Sequence, residues 1–189
     1  MLMDQKTEKS LLLHTCCGPC ASGCIGRVLS SGRDSVMYFS NSNLCDGEEY
    51  AKRLAAARTV ADHFGLELIA DPYDHNAWLA AVQGLENEPE RGARCSACFR
   101  FSLTRTAEMA QRLGMPFATS LTVSPHKNSA VIFDIAAAWE HFEPWDFKKK
   151  DGFRLSIENS RELGLYRQNF CGCEFSRHLN TNHQKGKTE

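Results

Sequence analysis

Short apolar runs alternate with amphipathic stretches along this chain, and that alternation restricts the fold more than any other feature. "SLLLHT" is followed by a helical pattern through "CASGCIGRVLSSG". "SVMYFSN" precedes "DGEEYAKRLAAARTVADHFG", where Tyr50, Leu54, Ala57, Ala61 and Phe64 recur at helical spacing and Gly65 supplies the stop. "LELIADPY" reads as the next strand, "HNAWLAAVQGL" as a short helix, and "CSACFRFSLTRTAEMAQRLG" as a long one ending at Gly114. "MPFATSLTV" reads as a strand, "NSAVIFDIAAAWEHF" as a helix and "FRLSIENSRELG" as the last helical piece. Such alternation predicts an α/β fold, a parallel sheet with helices on both faces. At 189 residues the chain fits one domain, expected over 10–178 and carrying a cysteine-containing C-terminal segment. Polar flanks at 1–9 and 179–189 are expected to be disordered.

Open sheets of this kind place their sites at the carboxyl ends of strands. Cys16 and Cys17 fall just after the first run, Asn41 and Asn43 after the second, and Ser120 to Lys127 after a later one. These segments should converge on one edge of the sheet.

With 42% hydrophobic and 24% charged residues, the composition is that of a soluble globular protein. No apolar run reaches the eighteen or so residues of a membrane helix, and the polar N-terminus lacks a secretory pattern. A cytoplasmic protein without a membrane partner is expected, and in that compartment thiols stay reduced. The nine cysteines then point away from a disulfide framework and toward metal ligation or redox chemistry.

Cys95 and Cys98 form a C-x-x-C pair at the start of a long helix, where spacing i, i+3 shares one face and the helix N-terminus favours thiolate. With Cys16 and Cys17 they make four thiolates, a set that suits iron–sulfur or zinc. Adjacent cysteines fit the knuckle turns of structural zinc poorly, which favours iron–sulfur. Cys20 is a further candidate ligand one turn into the first helix, Cys24 reads as core, and Cys45 receives no role. In "YRQNFCGCEFS", Cys171 and Cys173 flank Gly172. A disulfide there closes a very small ring and is easily reduced, which suits electron exchange; two more ligands of the same metal is the alternative.

Taken together, "LLLHTCCGPC", "RCSACFRFSLTRTA", "SLTVSPHKN" and "LGLYRQNFCGCEFS" resemble the QueH family of epoxyqueuosine reductases over about Leu11 to Ser176. The resemblance implies a Rossmann-like, PP-loop (HUP-like) fold and cobalamin-independent reduction of epoxyqueuosine to queuosine at the wobble position of tRNA. It also implies an iron–sulfur cluster of the 4Fe-4S type on Cys16, Cys17, Cys95 and Cys98, a redox-active disulfide at Cys171 and Cys173, room for an additional iron, and an external electron donor. "NSNLCDGEEY" departs from the proline-containing turn expected there while keeping Asn41 and Asn43 as substrate-binding candidates. "CCGPC" stands where ATP-using PP-loop proteins carry a glycine-rich phosphate loop, which argues against ATP use.

The formal net charge is −1, but from Lys148 onward nine Lys/Arg face five Asp/Glu. Lys148, Lys149, Lys150 and Arg154 in "FKKKDGFR" are therefore expected to meet RNA phosphates beside stacking aromatics, with Tyr166, Arg167 and Gln168 of "LYRQ" also contacting substrate. Asp134, Asp146, His126 and Tyr166 are candidate proton donors that the sequence does not rank. Two other classes stand beside this reading: a thiol–disulfide oxidoreductase with Cys95 and Cys98 free to cycle, and a zinc-stabilised RNA-binding module without catalysis.

Overall fold

A computed structural model describes residues 10–176, so the flanks expected to be disordered lie outside the described residues. Four strands, β1 (Ser10–Thr15), β2 (Asp34–Phe39), β3 (Leu68–Ala70) and β4 (Phe117–Thr119), form one sheet in the order β3-β2-β1-β4. All three pairings are parallel; β1 runs in register with β2 from Ser10 opposite Asp34 to Thr15 opposite Phe39. The helices are α1 (Gly18–Ser30), α2 (Gly47–Phe64), α3 (His75–Ala81), α4 (Ala93–Leu113), α5 (Ser129–Ala136) and α6 (Gly152–Glu162).

The reason β1 reads as an unbroken apolar run is visible in its burial. Successive side chains of a strand face opposite ways, and here both faces are covered. Leu11 and Leu13 pack into one core with Ile25 and Val28 of α1, Met37 and Phe39 of β2, and Val60 of α2. Leu12 packs into the other with Tyr38, Leu103 and Ala107 of α4, and Ile132 and Ile135 of α5. The α6 helix crosses α1 closely enough that a Cβ on Gly23 would lie 2.3 Å from the carbonyl oxygen of Gly152. Any side chain at Gly23 would force the two helices apart.

Helix limits follow the local chemistry. Asp46 caps α2 by accepting from the Glu48 amide, and Gly65 and Gly114 end α2 and α4 in the left-handed region at φ 64° and 63°. Two stretches differ from their expected elements. "MPFATSLTV" is strand only to Thr119, whose hydroxyl accepts from the Leu121 amide and starts a 3₁₀ turn over Ser120–Val123. The helix in "NSAVIFDIAAAWEHF" stops at Ala136, because the chain returns along the β4 edge. There the Phe117 amide donates to the His141 carbonyl, and Phe117 in turn accepts from Glu143. That return covers an edge strand that would otherwise be open.

Candidate metal and redox centre

The β1–α1 junction sets the first cysteine group. Cys17 takes extended backbone at the N-cap of α1, its sulfur accepts from the Cys20 amide at 3.4 Å, and Pro19 fits the first turn. Cys16 is fixed from the β4 side. Its amide donates to Ser120 Oγ at 3.0 Å, and that hydroxyl lies 3.3 Å from the Cys16 sulfur. Beneath, His14 is locked between Thr119 Oγ1 and the Ser40 carbonyl. The 3₁₀ turn after β4 thus serves to bring Ser120 onto the cysteines.

Among the described residues, the sulfurs of Cys16, Cys17 and Cys20 form a group whose members all lie within 4.8 Å of one another. The Cys16 and Cys17 sulfurs are 4.0 Å apart, close to the edge of about 3.8 Å that a tetrahedral ion with 2.3 Å metal–sulfur bonds would impose. Hydrogen bonds from the Cys17 and Cys20 thiols hold Cys16 well below the ordinary cysteine range, while the same bonding pushes Cys17 up to about 11. Cys24, bonded to the Cys20 carbonyl and fully enclosed, belongs to the core as its sequence position suggests.

Cys95 and Cys98 open α4. The Cys95 sulfur accepts from the Arg91 amide at 3.2 Å. Burial nevertheless raises Cys95 above its ordinary value and pushes Cys98 up to about 12, so desolvation outweighs the helix N-terminus that was expected to favour thiolate. Cys98 packs with Cys171 and Cys173 around the buried Trp78.

The Cys171–Cys173 turn is held by a buried ion pair. Arg53 Nε lies 2.6 Å from Glu49 Oε1 one helical turn away on α2, and both side chains are more than nine-tenths buried. The rest of that guanidinium donates to the carbonyls of Cys171, at 3.0 Å, and Phe170, at 3.3 Å. Tyr166 donates its hydroxyl to the other Glu49 oxygen at 2.7 Å. Gly172 sits at φ 108°, where a Cβ would meet Leu44 at 2.4 Å, so only glycine fits. Both cysteines of this pair are free thiols. Hydrogen bonding from Cys171 lowers Cys173 to about 6, with further help from Ser176, whose Oγ is 3.3 Å from the Cys173 sulfur.

These groups meet on a cavity of about 480 Å³ lined by Cys17, Cys20, Cys95 and Cys171, with Arg91, His126, Lys127, Arg167 and Gln168. Phe99, Phe153 and Phe170 supply its aromatic wall, and Glu90 its one carboxylate among the described residues. Lys127 was not singled out by sequence, although its segment was placed at this edge. Burial works against its ammonium, but the sulfurs of Cys16, Cys20, Cys171 and Cys17 outweigh that and raise its pKa. Of the four candidate proton donors only His126 lines the cavity: Tyr166 is tied to Glu49, Asp146 accepts from Ser129 and the Lys148 amide, and Asp134 is exposed. Gln168 points a buried Oε1 without a protein partner.

The remaining sequence candidates divide. Asn41 and Asn43 are buried and do not line the cavity; Asn41 donates to the Thr15 carbonyl and braces the end of β1. Lys148 turns its ammonium inward to the Lys127 carbonyl and Ser129 Oγ. Arg154 pairs with Glu158 and Asp151, whereas Lys149 and Lys150 are exposed. The Glu49–Arg53 clamp was missed, although its i, i+4 spacing on α2 is a legible signal. No helix among the described residues is long and apolar enough to cross a membrane.

A family profile described as epoxyqueuosine reductase QueH matches residues 11–179. The epoxyqueuosine reductase QueH of Streptococcus pyogenes is 36% identical over 184 residues, covering 91% of this chain and 72% of that protein. That of Thermotoga maritima is 36% identical over 176 residues, covering 88% and 90%, and that of Haemophilus influenzae 35% over 176 residues, covering 89% and 72%.

Proposed function

The chain belongs to the QueH family of epoxyqueuosine reductases, and we propose that it reduces epoxyqueuosine to queuosine at the wobble position of tRNA. The observation that carries this reading is the convergence of three separate cysteine groups and one lysine on a single cavity with aromatic walls. Removing the epoxide oxygen to leave an alkene consumes two electrons and two protons and releases water. Oxidation of a Cys171–Cys173 dithiol to a disulfide yields two electrons and two protons, so the pair balances the reaction by itself.

Cys16, Cys17, Cys95 and Cys98 would hold an iron–sulfur cluster of the 4Fe-4S type, with Cys20 the donor for an additional iron. When bound, iron supplies one-electron transfer and a Lewis acid for the epoxide oxygen. The donor set fits that group in kind: all four are free, soft thiols, Cys16 and Cys17 are close-set together with Cys20, and the Lys127 ammonium stands near enough to offset thiolate charge there. The extruded base would stack on Phe99, Phe153 or Phe170, and Gln168 Oε1 is free to accept from a base edge. His126 and Lys127 carry the nitrogen groups nearest in kind to proton donors on the wall. Lys149 and Lys150 would meet phosphates outside it.

Anaerobically prepared protein should be brown, contain iron and acid-labile sulfide, and convert epoxyqueuosine in an anticodon stem-loop to queuosine when given a reductant. Colourless protein that exchanges disulfides of other proteins would establish the thiol–disulfide alternative. Zinc-bearing protein that holds RNA without reaction would establish the binding module.

A further inference from the structure

We propose that reducing equivalents enter through the substrate cavity, by attack of an external dithiol on Cys171 with Cys173 as the leaving thiolate, so that reductant and RNA base occupy one space in turn. The proposal rests on the redox role given to this pair above. Its basis is the asymmetry of the two sulfurs' surroundings. Cys171 lines the cavity that takes the base. Cys173 does not; it is 4% exposed and packed with Trp78 and Val82. The Ser176 hydroxyl at 3.3 Å is placed to donate to a thiolate at Cys173.

The turn is held so that Cys173 faces away from the cavity. Arg53 holds the Cys171 carbonyl, the Gly172 carbonyl accepts from the Cys45 amide at 3.2 Å, and a Cβ at Gly172 has no room. Thiol–disulfide exchange depends on which sulfur is accessible and on how well the leaving thiolate is stabilised. Both conditions select the same direction here. After turnover the pair is a disulfide. The incoming thiolate forms a bond to Cys171 sulfur, the Cys171–Cys173 bond breaks, and the electron pair leaves on Cys173. The second thiol of the reductant then attacks its own mixed-disulfide sulfur, Cys171 leaves, and the reductant departs as a disulfide. Two protons from the dithiol restore the pair.

The test uses anaerobic holoenzyme carrying Cys173→Ser or Cys171→Ser, treated with glutathione disulfide and mapped by mass spectrometry. Cys171 in the first variant should be labelled at least ten-fold faster than Cys173 in the second, and saturating stem-loop RNA should slow that labelling at least ten-fold. Cys173→Ala repeats the first arm should the serine disturb packing. Labelling at Cys173 as fast as at Cys171, or labelling of Cys171 unaffected by RNA, overturns the proposal. In steady state, dithiothreitol and a protein dithiol are compared as reductants. Parallel double-reciprocal lines against RNA with either one support alternate occupancy, and the faster identifies the source; intersecting lines with both overturn it. Iron content and wild-type epoxide turnover are measured alongside. Loss of turnover refutes the reductase reading, whereas intact turnover with the wrong labelling pattern refutes only this route.

Discussion

The β1–α1 cysteines and the Cys171–Cys173 turn use the same side chain for different ends, and their supports explain the difference. Cys16 and Cys17 sit where a fully buried strand meets a helix, so their positions are set by the two cores and by Ser120. Cys171 and Cys173 sit on a loop that packs on the small cluster around Trp78 and is further positioned by the Glu49–Arg53 pair and a left-handed glycine. Donors for a metal need fixed separation, and regular elements provide it. A pair that makes and breaks its own bond needs a turn, and a charged clamp gives the turn one place without burying its sulfurs equally.

The largest expected effect breaks that comparison at its first member. Cys16→Ala and Cys98→Ala should each lose most of the iron and sulfide, since each removes a proposed thiolate ligand from the cluster. Full retention in both would mean the metal is held elsewhere. Cys20→Ala sharpens the same point: it should remove iron without labile sulfide, which elemental and sulfide analysis separate.

Next comes the clamp. Arg53→Leu leaves Glu49 buried without its cation and two carbonyls without a donor, and should cost about 3–5 kcal/mol in chemical denaturation. Glu49→Gln combined with Arg53→Leu should recover part of that, because the uncompensated charge is gone. A single variant as stable as the parent would show that the turn is held by other contacts. Gly172→Ala is smaller, about 1–3 kcal/mol for a non-glycine residue at φ 108°, with turnover falling and iron unchanged.

How much of this was legible in advance differs between the two regions as well. The β1 run, the helices after it and the end of α4 at Gly114 follow from apolar spacing and stop residues, and they place Cys16 and Cys17 correctly at a strand end. Inclusion of Cys20 in the close group depends on the N-cap geometry of Cys17, which spacing alone does not fix. The spacing of Glu49 and Arg53 is legible, but what that pair and Lys127 do was hidden for another reason: they act on residues far away in sequence, such as Cys171 at 118 positions from Arg53. The basic run divides for a local reason. Lys148 follows a buried Phe147 and turns inward, and Arg154 is occupied by its own helix.

That last point gives the smallest prediction. Replacing Lys149 and Lys150 with Ala should flatten the salt dependence of stem-loop binding by up to about two phosphate contacts' worth of slope and leave iron untouched. Lys148→Ala should leave the slope unchanged while weakening turnover, because it releases the segment carrying Lys127. An equal loss of slope from Lys148→Ala would place its ammonium on the RNA.

The division of labour between the two regions is tested most directly by a single turnover without external reductant. Holoenzyme is reduced anaerobically, freed of reductant and mixed with excess epoxyqueuosine stem-loop, and queuosine formed per chain is counted by mass spectrometry. Parent protein should form close to one product per chain, and the Cys171→Ser, Cys173→Ser double variant should form almost none while retaining its iron. A double variant that matches the parent, or one that has lost its iron, would contradict the assignment of the electron pair to these two sulfurs.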